Sequence, residues 1–160
     1  MDKKQVKSII KLLSSKDLDT RPALRKIFTE EGAAWATDGY IAMKIADVHI
    51  DFCHRCYELD ELKKWYATAN KNDLLNFEQT THNEDAEPQM HALIYGAEYK
   101  TPDAVKIDAA KLAHACEFLG SNKIEIKQNA KNPALYKIEP LEMGVIKKAM
   151  GCECYLMGLK

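Results

Sequence analysis

The chain has 160 residues, 46% of them hydrophobic and 29% charged, and its 23 basic side chains nearly balance 24 acidic ones. A chain of that length buries roughly two thirds of its unfolded surface, so it suits one domain and needs no disulfide or metal to fold. Scarce glycine and proline exclude fibrous and disordered classes. No apolar run reaches the ~18 residues of a membrane span and the amino terminus has no signal-peptide core, so a cytoplasmic protein is expected.

Val6, Ile9, Ile10 and Leu13 recur at helical spacing and predict an amphipathic helix over about residues 3–14, with Lys3, Lys4, Lys7 and Lys11 on its opposite flank. Asp19-Thr20-Arg21-Pro22 ends that pattern. Ala23–Glu30, Ala33–Thr37 and Tyr40–Ile45 read as short strands, joined by turns at Glu31-Gly32 and Asp38-Gly39. A second helix is expected over about 58–69, with Leu59, Leu62, Tyr66 and Ala69 on one face. Residues 70–90 read as an acidic loop around Asn83–Pro88, and His91–Tyr99 as a strand.

The last third opens with extended Val105–Ile107. Asp108 then caps a helix over 109–119 whose apolar face is Leu112, Ala115, Cys116 and Leu119, and Gly120 ends it. Lys123–Lys127, Ala134–Glu139 and Cys152–Leu159 read as strands. Short helices followed by antiparallel strands indicate an α+β fold with helices on one face of a sheet.

The near-zero net charge hides an uneven layout. Residues 1–26 hold eight basic and three acidic groups, whereas residues 47–99 hold four basic and eleven acidic ones. A polyanion responds to the local field, so the total does not exclude one as a partner.

Cys53-His54-Arg55-Cys56 has the spacing of a metal-binding or redox pair. A zinc site normally needs a second matching pair, which Cys152-Glu153-Cys154 does not supply, and a thioredoxin-like site needs a βαβ setting that is not visible. Ordinary reduced cysteines are the simpler account. The five histidines are scattered, and no GxSxG, HExxH or P-loop sequence occurs. No enzyme activity, metal or cofactor is expected.

Two segments are more specific. Asp19-Thr20-Arg21-Pro22-Ala23-Leu24, followed by Ala36-Thr37-Asp38-Gly39-Tyr40-Ile41-Ala42, resembles the "RP" segment and "ATDGHRLA" hairpin of bacterial DNA sliding clamps, the processivity subunits of replicative polymerases. Val105–Ile126 is similar to the family's final strand–helix–strand. Tyr155-Leu156-Met157-Gly158-Leu159-Lys160 is similar to its C-terminal "VMPMRL". The matches keep the family's order over about residues 3–46 and 105–160.

The resemblance implies one clamp-like domain over 1–160 with an insertion at about 47–100, antiparallel sheets outside and helices toward a channel. It implies sequence-independent DNA association, a polymerase or clamp loader as partner, and a homo-oligomer. Arg21 matches the family's "RP" arginine and is the implied DNA contact; Lys3, Lys4, Lys7, Lys11 and Arg25 join it on charge and position. Thr37, Gly39, Tyr40, Leu156, Met157, Gly158 and Leu159 match the family's partner-peptide pocket. The chain departs from the pattern in having room for one domain where the family has three. Ile41 also replaces a basic residue, and Gly158 a proline. The second expectation keeps the fold without encirclement: an interaction module or clamp mimic, such as a phage or mobile element could encode. The third class is the CxxC redox or zinc protein.

Overall fold

The computed structural model describes residues 3–30, 33–45, 55–68, 97–142 and 151–159. Helix α1 (Lys3–Leu13) buries Val6, Ser8, Ile9, Leu12 and Leu13, and so follows the predicted apolar stripe. The Ser15 hydroxyl then accepts the Asp17 N–H at 3.2 Å and starts a 3-10 turn, Lys16–Leu18, that drops Leu18 into the core. Proline at the start of a second 3-10 turn, Pro22–Leu24, delays the first strand. β1 is therefore Lys26–Glu30, shorter than the Ala23–Glu30 expected from sequence.

β2 (Ala33–Thr37) and β3 (Ile41–Ile45) form the expected hairpin. β4 (Arg55–Glu58) pairs with β1 and leads into α2 (Leu59–Thr68). β5 is only Tyr99–Lys100. Helix α3 (Ala109–Leu119) has the predicted caps: the Asp108 carboxylate accepts the Lys111 N–H at 2.9 Å, and Gly120 takes φ 70°. β6 (Ile124–Asn129), β7 (Leu135–Pro140) and β8 (Cys152–Met157) complete the described elements.

The described strands join one eight-stranded antiparallel sheet in the order β4-β1-β2-β3-β8-β7-β6-β5. That order is palindromic in topology. Each half is a helix followed by a three-strand meander (α1-β1-β2-β3 and α3-β6-β7-β8). The last strands of the two meanders pair antiparallel at the centre of the sheet, with Ile41 opposite Leu156 and Met43 opposite Cys154. The sequence shows no such repeat, because the two helices share a pattern of burial and not of residues.

The main core lies between the helices and one face of the sheet. Ile9, Leu12, Leu62 and Phe118 meet Ile27, Ala36, Met43, Ile138 and Leu156 there, all buried. Large side chains buried this fully contribute about 1.5–3 kcal/mol each. The opposite face carries a second cluster, with Trp35 and Tyr155 rings 6.1 Å apart beside Phe28 and Leu135. Beyond that cluster runs a chain of ion pairs: Lys44–Glu153 at 3.3 Å, Glu153–Lys137 at 3.5 Å, Lys137–Glu139 at 2.9 Å and Glu139–Lys127 at 2.6 Å. Alternating signs leave that face without a basic field.

Candidate docking and nucleic-acid surfaces

The β2–β3 hairpin tip is built by side chains that satisfy its own backbone. Thr37 Oγ1 accepts the Gly39 N–H at 3.0 Å, and Asp38 Oδ1 accepts the N–H groups of Tyr40 and Ile41 at 2.8 and 2.9 Å. Gly39 has φ 90°, which favours glycine, and an added Cβ there would collide with the Arg21 guanidinium. Asp38 is fully buried, and its second oxygen pairs with the ammonium of Lys111 on α3. Lys111 also bonds Asp17 at 2.6 Å. Burial pulls the Lys111 ammonium down, but its two carboxylate partners outweigh that and hold it above its ordinary value. The same bond holds Asp17 below the usual carboxylate range.

Tyr40 stands on this corner, half exposed, with Arg21 at 5.4 Å and Lys111 at 5.6 Å from its ring centroid. The end of the chain comes to the same place. Met157 N–H donates to Tyr40 O at 2.7 Å, Gly158 N–H to Ala134 O at 2.6 Å, and Leu159 N–H to Lys106 O at 2.8 Å. Tyr40, Met157 and Leu159 are exposed on one continuous piece of backbone pairing, and Val105 is exposed on the segment that pairs with Leu159. The sequence does not single out Val105; an apolar residue beside a proline-bearing polar stretch carries no local sign of a site. Leu156 and Thr37 are buried, and Gly158 is packed against Tyr136, so these three hold the surface from beneath.

No family model, curated protein or solved structure matches the chain.

The proposed DNA-contact set divides between two places. Lys4, Lys7 and Lys11 are exposed on α1, where Lys11 pairs with Glu117 of α3 at 2.7 Å. Lys3 lies 5.9 Å from the Tyr66 ring of α2. Arg25 pairs with Asp19, and Arg21 stands at the hairpin corner. Beside α1, the exposed residues of α3 are Ala109, Ala110, Ala113 and Glu117. The helical face is basic on its α1 half only.

His114 lies between those helices, with Nε2 3.0 Å from Ser8 O. Burial pushes its imidazole below the ordinary 6.5, aided by Lys11; the Ser8 carbonyl, Glu117 and Asp38 oppose the shift without cancelling it. A base whose folded pKa is depressed leaves the unfolded chain with more bound protons just below pH 6.5, so stability falls with falling pH there. Urea unfolding of the wild type should weaken from its plateau as pH drops below that value, and His114→Gln should remove that part of the slope. An identical slope in the variant would mean that His114 titrates as it does in the unfolded chain.

Cys53, His54, His49, His82 and His91 lie outside the described residues, while Cys56 falls within β4, directly before α2. Cys116, Cys152 and Cys154 are free thiols, and burial pushes all three up, away from the reactive thiolate form. Among the described residues no group of three His, Cys, Asp or Glu side chains is placed to hold a metal, and no helix is long and apolar enough to cross a membrane.

Proposed function

We propose that the chain is a non-catalytic, cytoplasmic relative of the bacterial sliding clamp, serving DNA replication or repair as a processivity factor. One observation carries this reading. The two segments that resemble the clamp's partner pocket, 37–40 and 155–159, are over a hundred residues apart, and the Tyr40–Met157 backbone bond at 2.7 Å brings them side by side with Tyr40, Met157 and Leu159 exposed. Apolar side chains with a flexible thioether among them suit a surface that accepts several partner peptides. Replication proteins such as a polymerase or a clamp loader are the proposed partners, and several copies of the chain are needed to surround DNA.

In this reading α1 faces the duplex, and its lysines meet phosphates without reading bases, as movement along DNA requires. Fluorescence anisotropy with a labelled duplex tests it. Affinity should fall steeply with salt, and Lys4→Glu with Lys7→Glu should lower the slope by about one for each phosphate that is no longer neutralised. No association at low salt would remove the DNA-tracking role.

The alanine-rich exposed face of α3, whose one exposed charge is the carboxylate of Glu117, favours a second reading, an interaction module of clamp fold that does not encircle DNA. That reading keeps the Tyr40–Met157–Leu159 surface and predicts protein binding with no affinity for the duplex.

A further inference from the structure

Arg21 sits apart from the lysines of α1. Its guanidinium lies against Gly39, in the space a side chain would fill, and over the ring of the exposed Tyr40 at 5.4 Å. The carboxylates around it are already committed: Asp17 and Asp38 share Lys111, and Asp19 pairs with Arg25. Among the described residues Arg21 has no carboxylate partner. On the far side of the patch, Lys106 is exposed next to Val105 and is likewise without an ion pair among the described residues. Tyr40, Met157, Leu159 and Val105 are thus exposed apolar residues on neighbouring stretches of backbone, and Arg21 and Lys106 beside them have no ion pair among the described residues.

We propose that Arg21 is a specificity residue of this docking surface, pairing with a carboxylate of a partner peptide whose apolar side chains cover Tyr40, Met157 and Leu159. The proposal rests on the docking role given above and adds the charge that the partner must carry. The occupant follows from complementarity. A planar guanidinium resting against a glycine and over a tyrosine ring presents its fork for a bidentate bond to a carboxylate. Nucleic acid fits the place less well. The cations over Tyr40 compete with a stacking base, and the Met157 and Leu159 side chains have nothing to gain from a phosphate backbone. Lys106 supplies a second, less directional attraction for an acidic residue at the other end of the peptide.

Selection from a random-peptide display library on the full chain tests this without assuming a sequence. The wild type should enrich peptides with two or more apolar residues and an Asp or Glu. Arg21→Gln should keep the apolar residues and lose the acid, whereas Tyr40→Ala with Met157→Ala should lose the consensus altogether. A selected peptide should then bind Arg21→Gln about tenfold more weakly than the wild type, a typical loss for one charge-assisted hydrogen bond. Its twin with the acid changed to the amide should bind both proteins alike. An acid retained on Arg21→Gln, or no acid in any consensus, overturns the role of Arg21 and leaves the docking surface standing. No consensus on the wild type overturns both. If Arg21→Gln instead weakens duplex DNA and leaves the selected peptide untouched, Arg21 returns to the DNA-binding set. Self-association of the chain that Arg21→Gln abolishes would make a second copy the occupant and overturn the peptide assignment. Circular dichroism of each variant confirms that the fold is intact.

Discussion

Asp38→Ala is expected to cost the fold about 4 kcal/mol, the scale on which a buried ion pair breaks when one partner is removed. Asp38 is fully buried and performs three tasks: it accepts two backbone N–H groups of the hairpin tip and neutralises Lys111. Alanine abandons all three, and the two N–H groups lose their acceptor inside the protein. Asn at this position keeps an acceptor for the backbone and gives up only the charge, while Asp17 still holds Lys111 at 2.6 Å. Its cost should be about half, roughly 2 kcal/mol. Lys111→Met should behave like Asp38→Ala, because it strands a carboxylate in the core. Urea unfolding followed by circular dichroism gives the ranking. A domain of this size has about 5–15 kcal/mol in hand, so the alanine variant should fold with a markedly lower midpoint. Equal stability of the alanine and asparagine variants would mean that the hairpin cap contributes nothing.

The two faces of Asp38 also separate what the sequence makes legible from what it hides. Asp38-Gly39 announces a tight hairpin locally, and the hairpin is there. Its bond to Lys111 spans 73 positions and leaves no local trace. Helix α3 is readable at both ends because Asp108 and Gly120 are signals of short range, whereas Phe118, buried against the sheet, lies outside the stripe expected from Leu112, Ala115, Cys116 and Leu119. β4 is not readable: Arg55–Glu58 offers four residues with weak alternation, and its CxxC spacing draws attention to metal chemistry instead. β2 is recognisable as a strand, but five buried residues in a row follow from cover on both faces of the sheet, a tertiary fact. The same limit applies to the proposed docking surface. Tyr40, Met157 and Leu159 can be named from motif resemblance, whereas Val105 enters only because Lys106 O accepts the Leu159 N–H. Arg21 shows the reverse case. Its motif suggests DNA, and its surroundings, a glycine, a tyrosine ring and committed acids, argue for a partner.

Gly158→Pro would bring the C-terminal segment nearer to the clamp pattern, and it is expected to destabilise this chain by about 2–3 kcal/mol. The Gly158 N–H donates to Ala134 O at 2.6 Å, a bond that proline cannot make. A Cβ at this position would stand 2.8 Å from the Tyr136 ring and 3.0 Å from Lys106 O, and the second of these is backbone that cannot easily move. Gly158→Ala keeps the donor and suffers only the crowding, so it should fall between the wild type and the proline variant. The damage should reach the proposed docking surface too. Leu159 is held by the bond to Lys106 O, directly after the residue that is displaced, and Met157 directly before it is tied to Tyr40. Releasing the tail separates Leu159 from Val105 and leaves a partner peptide with Tyr40 and Met157 alone, so affinity should fall together with the urea midpoint. A proline variant as stable as the wild type would mean that the tail is not bound as described. Normal peptide affinity in a destabilised variant would restrict the surface to Tyr40 and Met157. The glycine is thus a requirement of this chain's own tail, which lies too close to the 104–106 segment for the family's proline to fit.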